Sequence, residues 1–164
     1  MRQTSHTNSR KRGVVENVYS TVKMTFRFAN VEDCNILDTM LTKLIMDERK
    51  YDKSIDENFK VQGFYQNVLG KNNIIYLCEE ENKIVGYVYA IINKEDAVID
   101  ALYVDECYRN KKIATTLVTK IIDVIKEKNI HKILINVMSD NIVAKNFYLS
   151  LGFNPFRETL ILNN

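Results

Sequence analysis

The chain has 164 residues, 46% hydrophobic and 27% charged, with 9 Tyr and 7 Phe but no Trp. That length suits one domain with a proper core, and the composition excludes a disordered chain. The net charge is +2: residues 1–22 hold four basic residues against Glu16, and the remainder holds 19 basic against 20 acidic, so a near-neutral body gives no reason to expect nucleic acid as the main partner.

Residues 1–22 are rich in Ser, Thr, Asn and Arg, lack periodicity, and read as a flexible basic tail ahead of a domain over 23–164. Its run Arg10-Lys11-Arg12 is the one piece suited to an anionic partner, although three adjacent basic residues are ordinarily just solvated. Met24–Phe28 alternates as a first strand. Asn30, Glu32 and Asp33 supply helix-start chemistry, and Ile36, Leu37, Met40, Leu41, Leu44 and Ile45 recur at helical spacing to about Asp47. After a charged loop, Asp47 to Glu57, the spacing predicts a second helix over Phe59–Leu69, stopped by Gly70. Ile74–Glu79 and Lys83–Ile92 flank the turn Glu80-Glu81-Asn82 as a hairpin, and Ala97–Val104 is a further strand. A polar loop, Asp105 to Lys112, leads into a helix with the stripe Ile113, Leu117, Ile121, Val124 and Ile125, ending at Lys126, Lys128 and Asn129. Lys132–Val137 is an apolar strand. Ser139 or Asp140 is expected to cap a helix from Asn141 to Leu151, Gly152 to end it in the left-handed position, and Phe156–Leu162 to form a last strand. Consecutive hairpin strands followed by a β-α-β crossover predict an α/β (α+β) fold, with a mixed, mostly antiparallel central sheet and helices on both faces.

Three widely spaced cysteines (Cys34, Cys78, Cys107) form no CxxC pair, which argues against disulfides or a zinc site and fits a reducing cytoplasm. Cys34 and Cys78 fall within apolar patterns, whereas Cys107 lies in a polar loop. The longest apolar runs, such as Ile84–Ile92, fall well short of the roughly 20 residues that span a bilayer, and no apolar segment of signal-peptide type follows the basic start. His6 and His131 are the only histidines, so a two-histidine metal site or a His-based triad is not expected.

The chemistry concentrates where the strand Ala101-Leu102-Tyr103-Val104 gives way to Tyr108-Arg109-Asn110-Lys111-Lys112 and the helix start Ile113-Ala114-Thr115-Thr116. A helix N-terminus offers free N–H groups and a positive dipole end, and so suits a phosphate. Arg109, Lys111 and Lys112 add charge there, although a basic loop before a helix is by itself more often solvated structure. A second string follows the next strand: Asn141, Ala144, Asn146, Phe147, Tyr148, Leu151, Gly152, Phe153.

Together the two segments resemble the GNAT superfamily of N-acetyltransferases. The loop corresponds to that family's R/Q-x-x-G-x-G/A signature and the string around Tyr148 to its C-terminal motif. Phe26–Asp33 looks like its opening strand and turn, and Arg157-Glu158-Thr159-Leu160 continues as in many members. The resemblance implies acetyl-CoA as cosubstrate, no metal, and direct attack of an amine on the thioester through a tetrahedral intermediate. It implies that backbone groups of Leu102, Tyr103 and Val104 pair with the pantetheine arm. Main-chain N–H groups across Arg109, Asn110, Lys111, Lys112, Ile113, Ala114 and Thr115 would wrap the pyrophosphate. Asn141 would contact the pantetheine, Asn146 would lie along the coenzyme, and Tyr148 would protonate the departing thiolate. A phenol suits a thiolate of similar basicity, while the bland alternative for Tyr148 is a core aromatic.

Two positions depart from the signature. Asn110 replaces a Gly mildly, because Asn tolerates left-handed backbone, whereas Lys112 replaces the central Gly at a place where positive φ is costly. Asp100 is the first candidate base, on the expectation that it shares a strand face with Leu102; Glu79 is a weaker one. The resemblance implies that the loop Asp47–Glu57 and the helix after it shape the acceptor pocket, where an acidic wall would favour a cationic amine, but its nearly balanced charges, Glu48 among them, read as surface. The acceptor amine is not legible. The rival functions are a coenzyme-A-binding regulatory module without turnover, and a tail-tethered binder of anionic partners. An exposed last strand makes a homodimer an expectation.

Overall fold

The computed structural model describes residues 23–162; the tail reading of residues 1–22 lies outside the described residues. Nine elements follow in order: β1 (Met24–Phe28), α1 (Cys34–Glu48), α2 (Phe64–Val68), β2 (Asn73–Glu80), β3 (Lys83–Ile92), β4 (Asp96–Val104), α3 (Ile113–Glu127), β5 (Lys132–Ile135) and α4 (Ile142–Ser150), with short 3-10 turns at Val31–Asp33 and Glu106–Tyr108.

The strands lie in the order β1-β2-β3-β4-β5, antiparallel except for the parallel pair β4–β5, which α3 connects. This is the expected mixed sheet. The β2–β3 hairpin turns on Glu81 (φ 50°) and Asn82 (φ 64°), the two left-handed residues that a tight two-residue connection requires. Asn30 and Asp33 form a capping box ahead of α1, so the helix-start chemistry read there is realised. On the spacing read from the sequence, α3 buries Ile113, Leu117, Ile121 and Ile125, each stabilising the fold by about 2 kcal/mol. Asn129 (φ 61°) closes it in the left-handed region.

Two apolar layers sandwich the sheet. α3 and α4 cover one face, on a cluster that includes Val88, Ile99, Val104, Ile113 and Tyr148. α1 and α2 cover the other, on Leu37, Met40, Tyr65, Tyr87 and Tyr103. Cys34 and Cys78 are buried in these layers and Cys107 is exposed. Among the described residues no helix is long and apolar enough to cross a membrane.

Four expectations need correction. The second helix is confined to Phe64–Val68. The chain before it is held by tertiary bonds instead: Val61 N–H donates to Thr42 Oγ1 at 3.0 Å and Tyr65 N–H to the buried Asp38 carboxylate at 3.0 Å, with Gly63 left-handed between them. The cap of α4 is Asn141, not Ser139 or Asp140; its side-chain oxygen accepts from Ala144 N–H at 3.1 Å. Phe156–Leu162 pairs with no strand among the described residues, so its β-branched and apolar composition is not enough without a ladder partner. Ile36, placed in the apolar stripe of α1, is exposed.

Candidate active site

The site starts from a splay in the sheet. β5 pairs with β4 only from Asp96 to Ile99, where Ile135 ends the strand. Beyond it, β4 runs on to Val104 with β3 alone as neighbour. The Asp105 N–H donates to Val85 O at 2.9 Å. In the antiparallel alternation, Tyr103 therefore bonds across to Tyr87, and the peptide groups of Leu102 and Val104 point to the open edge. The Val104 carbonyl there is taken by Arg109 Nε at 3.0 Å, so the Leu102 N–H and C=O and the Val104 N–H are what line the gap where β4 and β5 part.

Gly86 makes this geometry possible. A Cβ there would stand 2.9 Å from the Tyr103 carbonyl oxygen and 3.2 Å from Val104 Cγ2, so only glycine lets β3 lie so close to the end of β4. Gly86 is not among the site residues expected above, although a glycine inside an apolar strand is a signal of close backbone approach.

Next comes the turn into α3. Asn110 (φ 62°) and Lys112 (φ 60°) both adopt the left-handed conformation. The first intrahelical bond of α3 runs from Thr116 N–H to Lys112 O at 3.0 Å, and no side chain caps the helix. The N–H groups of Ile113, Ala114 and Thr115 therefore have no helical acceptor, and α3 directs its positive dipole end at the same place. Left-handed residues alternating with ordinary ones turn successive N–H groups inward, as in known anion-binding loops. These residues fit a diphosphate. The cost that glycine would avoid is borne by Lys112, whose exposed ammonium stays free for a phosphate.

Arg109 departs from the simple picture of a loop cation. Its Nε donates to Val104 O at 3.0 Å, and a terminal nitrogen pairs with Asp47 at 3.3 Å. Its guanidinium also lies 6.0 Å from the Tyr103 ring centroid. The side chain ties the loop to β4 and α1. Lys111 rests its ammonium 4.8 Å from the Tyr108 ring centroid.

Tyr148 comes from α4, on the same face of the sheet as α3. Its ring is buried in the cluster that contains Val104 and Ile113, edge-on to Phe147 and Phe153 at 5.0 and 5.6 Å between centroids. Burial pushes its phenol above the ordinary tyrosine range, so the oxygen keeps its proton. Asn141 is spent in part on capping α4, with its amide nitrogen free of protein bonds, and Asn146 lies exposed on the same helix.

Asp100 is moved by the backbone. The β3–β4 register slips between Tyr89 and Ala90, which pair with Ala101 and Ile99, so Asp100 is the extra residue of a β-bulge. Leu102 packs on the α3 layer, while Asp100 faces α1. The two do not share a face, contrary to the reading from strict alternation. Asp100 and Glu48 line a cavity of about 490 Å³ with Leu44, Ile45, Phe59 and Phe64. Burial raises the Asp100 carboxyl, and burial followed by the charge of Asp100 raises Glu48. Glu48 is thus part of a recess, not surface. Glu79 is unsuited to act as a base here: Arg27 grips it at 2.5 Å and holds Asp33 at 2.7 and 2.8 Å.

The candidate site thus brings together an open strand edge and an uncapped helix start behind two left-handed residues, with a buried phenol in the apolar layer beside them. The chain belongs to the acetyltransferase (GNAT) family, whose profile matches residues 39–153. An uncharacterized N-acetyltransferase of Methanocaldococcus jannaschii is 30% identical over 145 residues, 83% of this chain; the chain spans 63% of that relative's length. A predicted acetyltransferase of Clostridium acetobutylicum, solved with acetyl-CoA, superposes with a TM-score of 0.70 at 23% identity, over 86% of this chain and 96% of that one. An aminoglycoside acetyltransferase from an uncultured soil metagenomic sample, solved with sisomicin, gives 0.68 at 18% identity, over 86% and 95%.

Proposed function

We propose that the protein transfers the acetyl group of acetyl-CoA to a primary amine by direct attack. The coenzyme supplies an activated thioester, and the chain's own residues supply position and protons. The observation that carries this reading is the uncapped start of α3 behind left-handed Asn110 and Lys112, opening beside the free edge of β4. The main-chain N–H groups from Lys111 to Thr115 hold the diphosphate, and the Leu102 peptide groups and the Val104 N–H hold the pantetheine arm, the Val104 carbonyl being held by Arg109. As the new C–N bond forms and the C–S bond breaks, Tyr148 gives its proton to the sulfur. The proton lost by the amine leaves through Asp100 or water.

The rival reading, a coenzyme-binding module without turnover, rests on Lys112 standing where the family has glycine. Lys112 is already left-handed, so that ground weakens. Thiol release from acetyl-CoA in the presence of primary amines tests the proposal, with Tyr148→Phe alongside. We expect the variant to bind acetyl-CoA like the wild type and lose about 100-fold in kcat. Equal turnover by the two proteins would remove Tyr148 from the chemistry.

A further inference from the structure

The cavity beside Asp100 has a feature that acetyl transfer in general does not require. Its walls are mostly apolar, with Leu44 and Ile45 from α1 on one side and Phe59 and Phe64 on the other, yet Gln62 and two carboxylates, Glu48 and Asp100, also line it. Among the described residues the ion pairs join Arg27 to Asp33 and Glu79, and Arg109 to Asp47; neither Glu48 nor Asp100 has a cation. Each carboxyl is raised by burial, and the charge of Asp100 raises Glu48 further. Glu48 is half-buried and Asp100 stands at the exposed rim, and two like charges facing one recess are relieved by one cation brought from outside.

We propose that this cavity is the acceptor subsite and that the acceptor is a small primary ammonium with an apolar body the size of an arene. The inference rests on the reading of the protein as an acetyltransferase and names the substrate class for it. The ammonium sits between Glu48 and Asp100, and the body lies against Phe59, Phe64, Leu44 and Ile45. A volume of about 490 Å³ is that of an ordinary small-ligand site. The two phenyl rings suit an arene, and Phe64 is itself held edge-on to Tyr89 at 5.9 Å. A polyamine fits poorly: its further ammonium groups would be desolvated against Leu44 and Ile45 without partners.

The test is calorimetric titration of the full chain with 2-phenylethylamine, spermidine and a trialanine peptide, followed by thiol-release assays with the same amines. We expect 2-phenylethylamine to bind and react about tenfold better than the other two. Glu48→Gln and Asp100→Asn should each weaken its binding about tenfold, as loss of a charged hydrogen bond does, while thermal melting stays put. Tighter binding of spermidine or of the peptide, or undiminished binding in both variants, would overturn the proposal. Thiol release with other amines but no binding of 2-phenylethylamine would overturn it while leaving acetyl transfer intact. Binding of 2-phenylethylamine without thiol release from any amine would overturn the acceptor role together with the acetyltransferase reading.

Discussion

Arg109 donates its Nε to the carbonyl oxygen of Val104 at 3.0 Å, closing the loop between β4 and α3 onto the strand it has just left. The same side chain reaches Asp47 near the end of α1. One residue therefore couples the loop before α3 to the end of β4 and to the helix that walls the cavity beside Asp100. Lysine lacks the planar fork that makes both contacts. Arg109→Lys should raise the KM for acetyl-CoA about tenfold, the worth of one such hydrogen bond, and leave kcat within about threefold. Steady-state kinetics at varied acetyl-CoA checks this, and an unchanged KM would mean that the loop holds its shape without Arg109.

Gly86 controls the other side of the same edge. A methyl group there must displace the Tyr103 carbonyl or the Val104 side chain. Gly86→Ala should destabilise the fold by about 1–3 kcal/mol, as overpacking does, and weaken acetyl-CoA binding because Leu102 and Val104 move with the strand. Urea unfolding and calorimetry on one preparation report both effects. Loss of stability with intact binding would separate Gly86 from the site.

Lys112 holds a φ of 60° that costs a non-glycine residue about 1–2 kcal/mol. Glycine removes that cost but adds about 0.5–1 kcal/mol of backbone entropy. Lys112→Gly should therefore leave stability unchanged or raise it by up to about 1.5 kcal/mol. Acetyl-CoA should bind it within about threefold of the wild type, since the cradle works through N–H groups. A much larger loss would give the ammonium of Lys112 the main role in phosphate binding.

Much of this was legible in the sequence. The stripe of α3, the hairpin and the start of α1 follow from local periodicity and capping, which act within a few residues. The site loop was found from a helix start with basic residues before it, and its two left-handed positions from asparagine and lysine standing where glycine is usual. What escaped depends on distant partners. The bulge at Asp100 arises from pairing with β3, and it turns the carboxylate away from the face that alternation assigns. Val61 and Tyr65 give their N–H groups to Thr42 and Asp38 across the interface with α1, which keeps Phe59 out of a helix and beside the cavity. Phe156–Leu162 has strand composition, but a strand exists only by its neighbour.

The buried phenols set a limit at high pH. Burial raises Tyr65, Tyr87 and Tyr148 above the ordinary value in the folded chain. The unfolded chain then loses these protons from about pH 10 upward while the native chain keeps them. Their stabilisation is complete below about pH 10 and declines above it, by roughly 1.4 kcal/mol per pH unit for each phenol. Urea unfolding at pH 9, 10 and 11 should show a steep loss over about the last unit; a flat profile would mean that these hydroxyls exchange with water freely.

The central claim is that the open edge of β4 and the uncapped start of α3 form one coenzyme site. Calorimetric titration of the full chain with acetyl-CoA tests it most directly. We predict one-to-one binding in the micromolar range, weakened by Arg109→Lys and preserved in Lys112→Gly. No binding heat from well-folded wild type at several temperatures would contradict the assignment of the site.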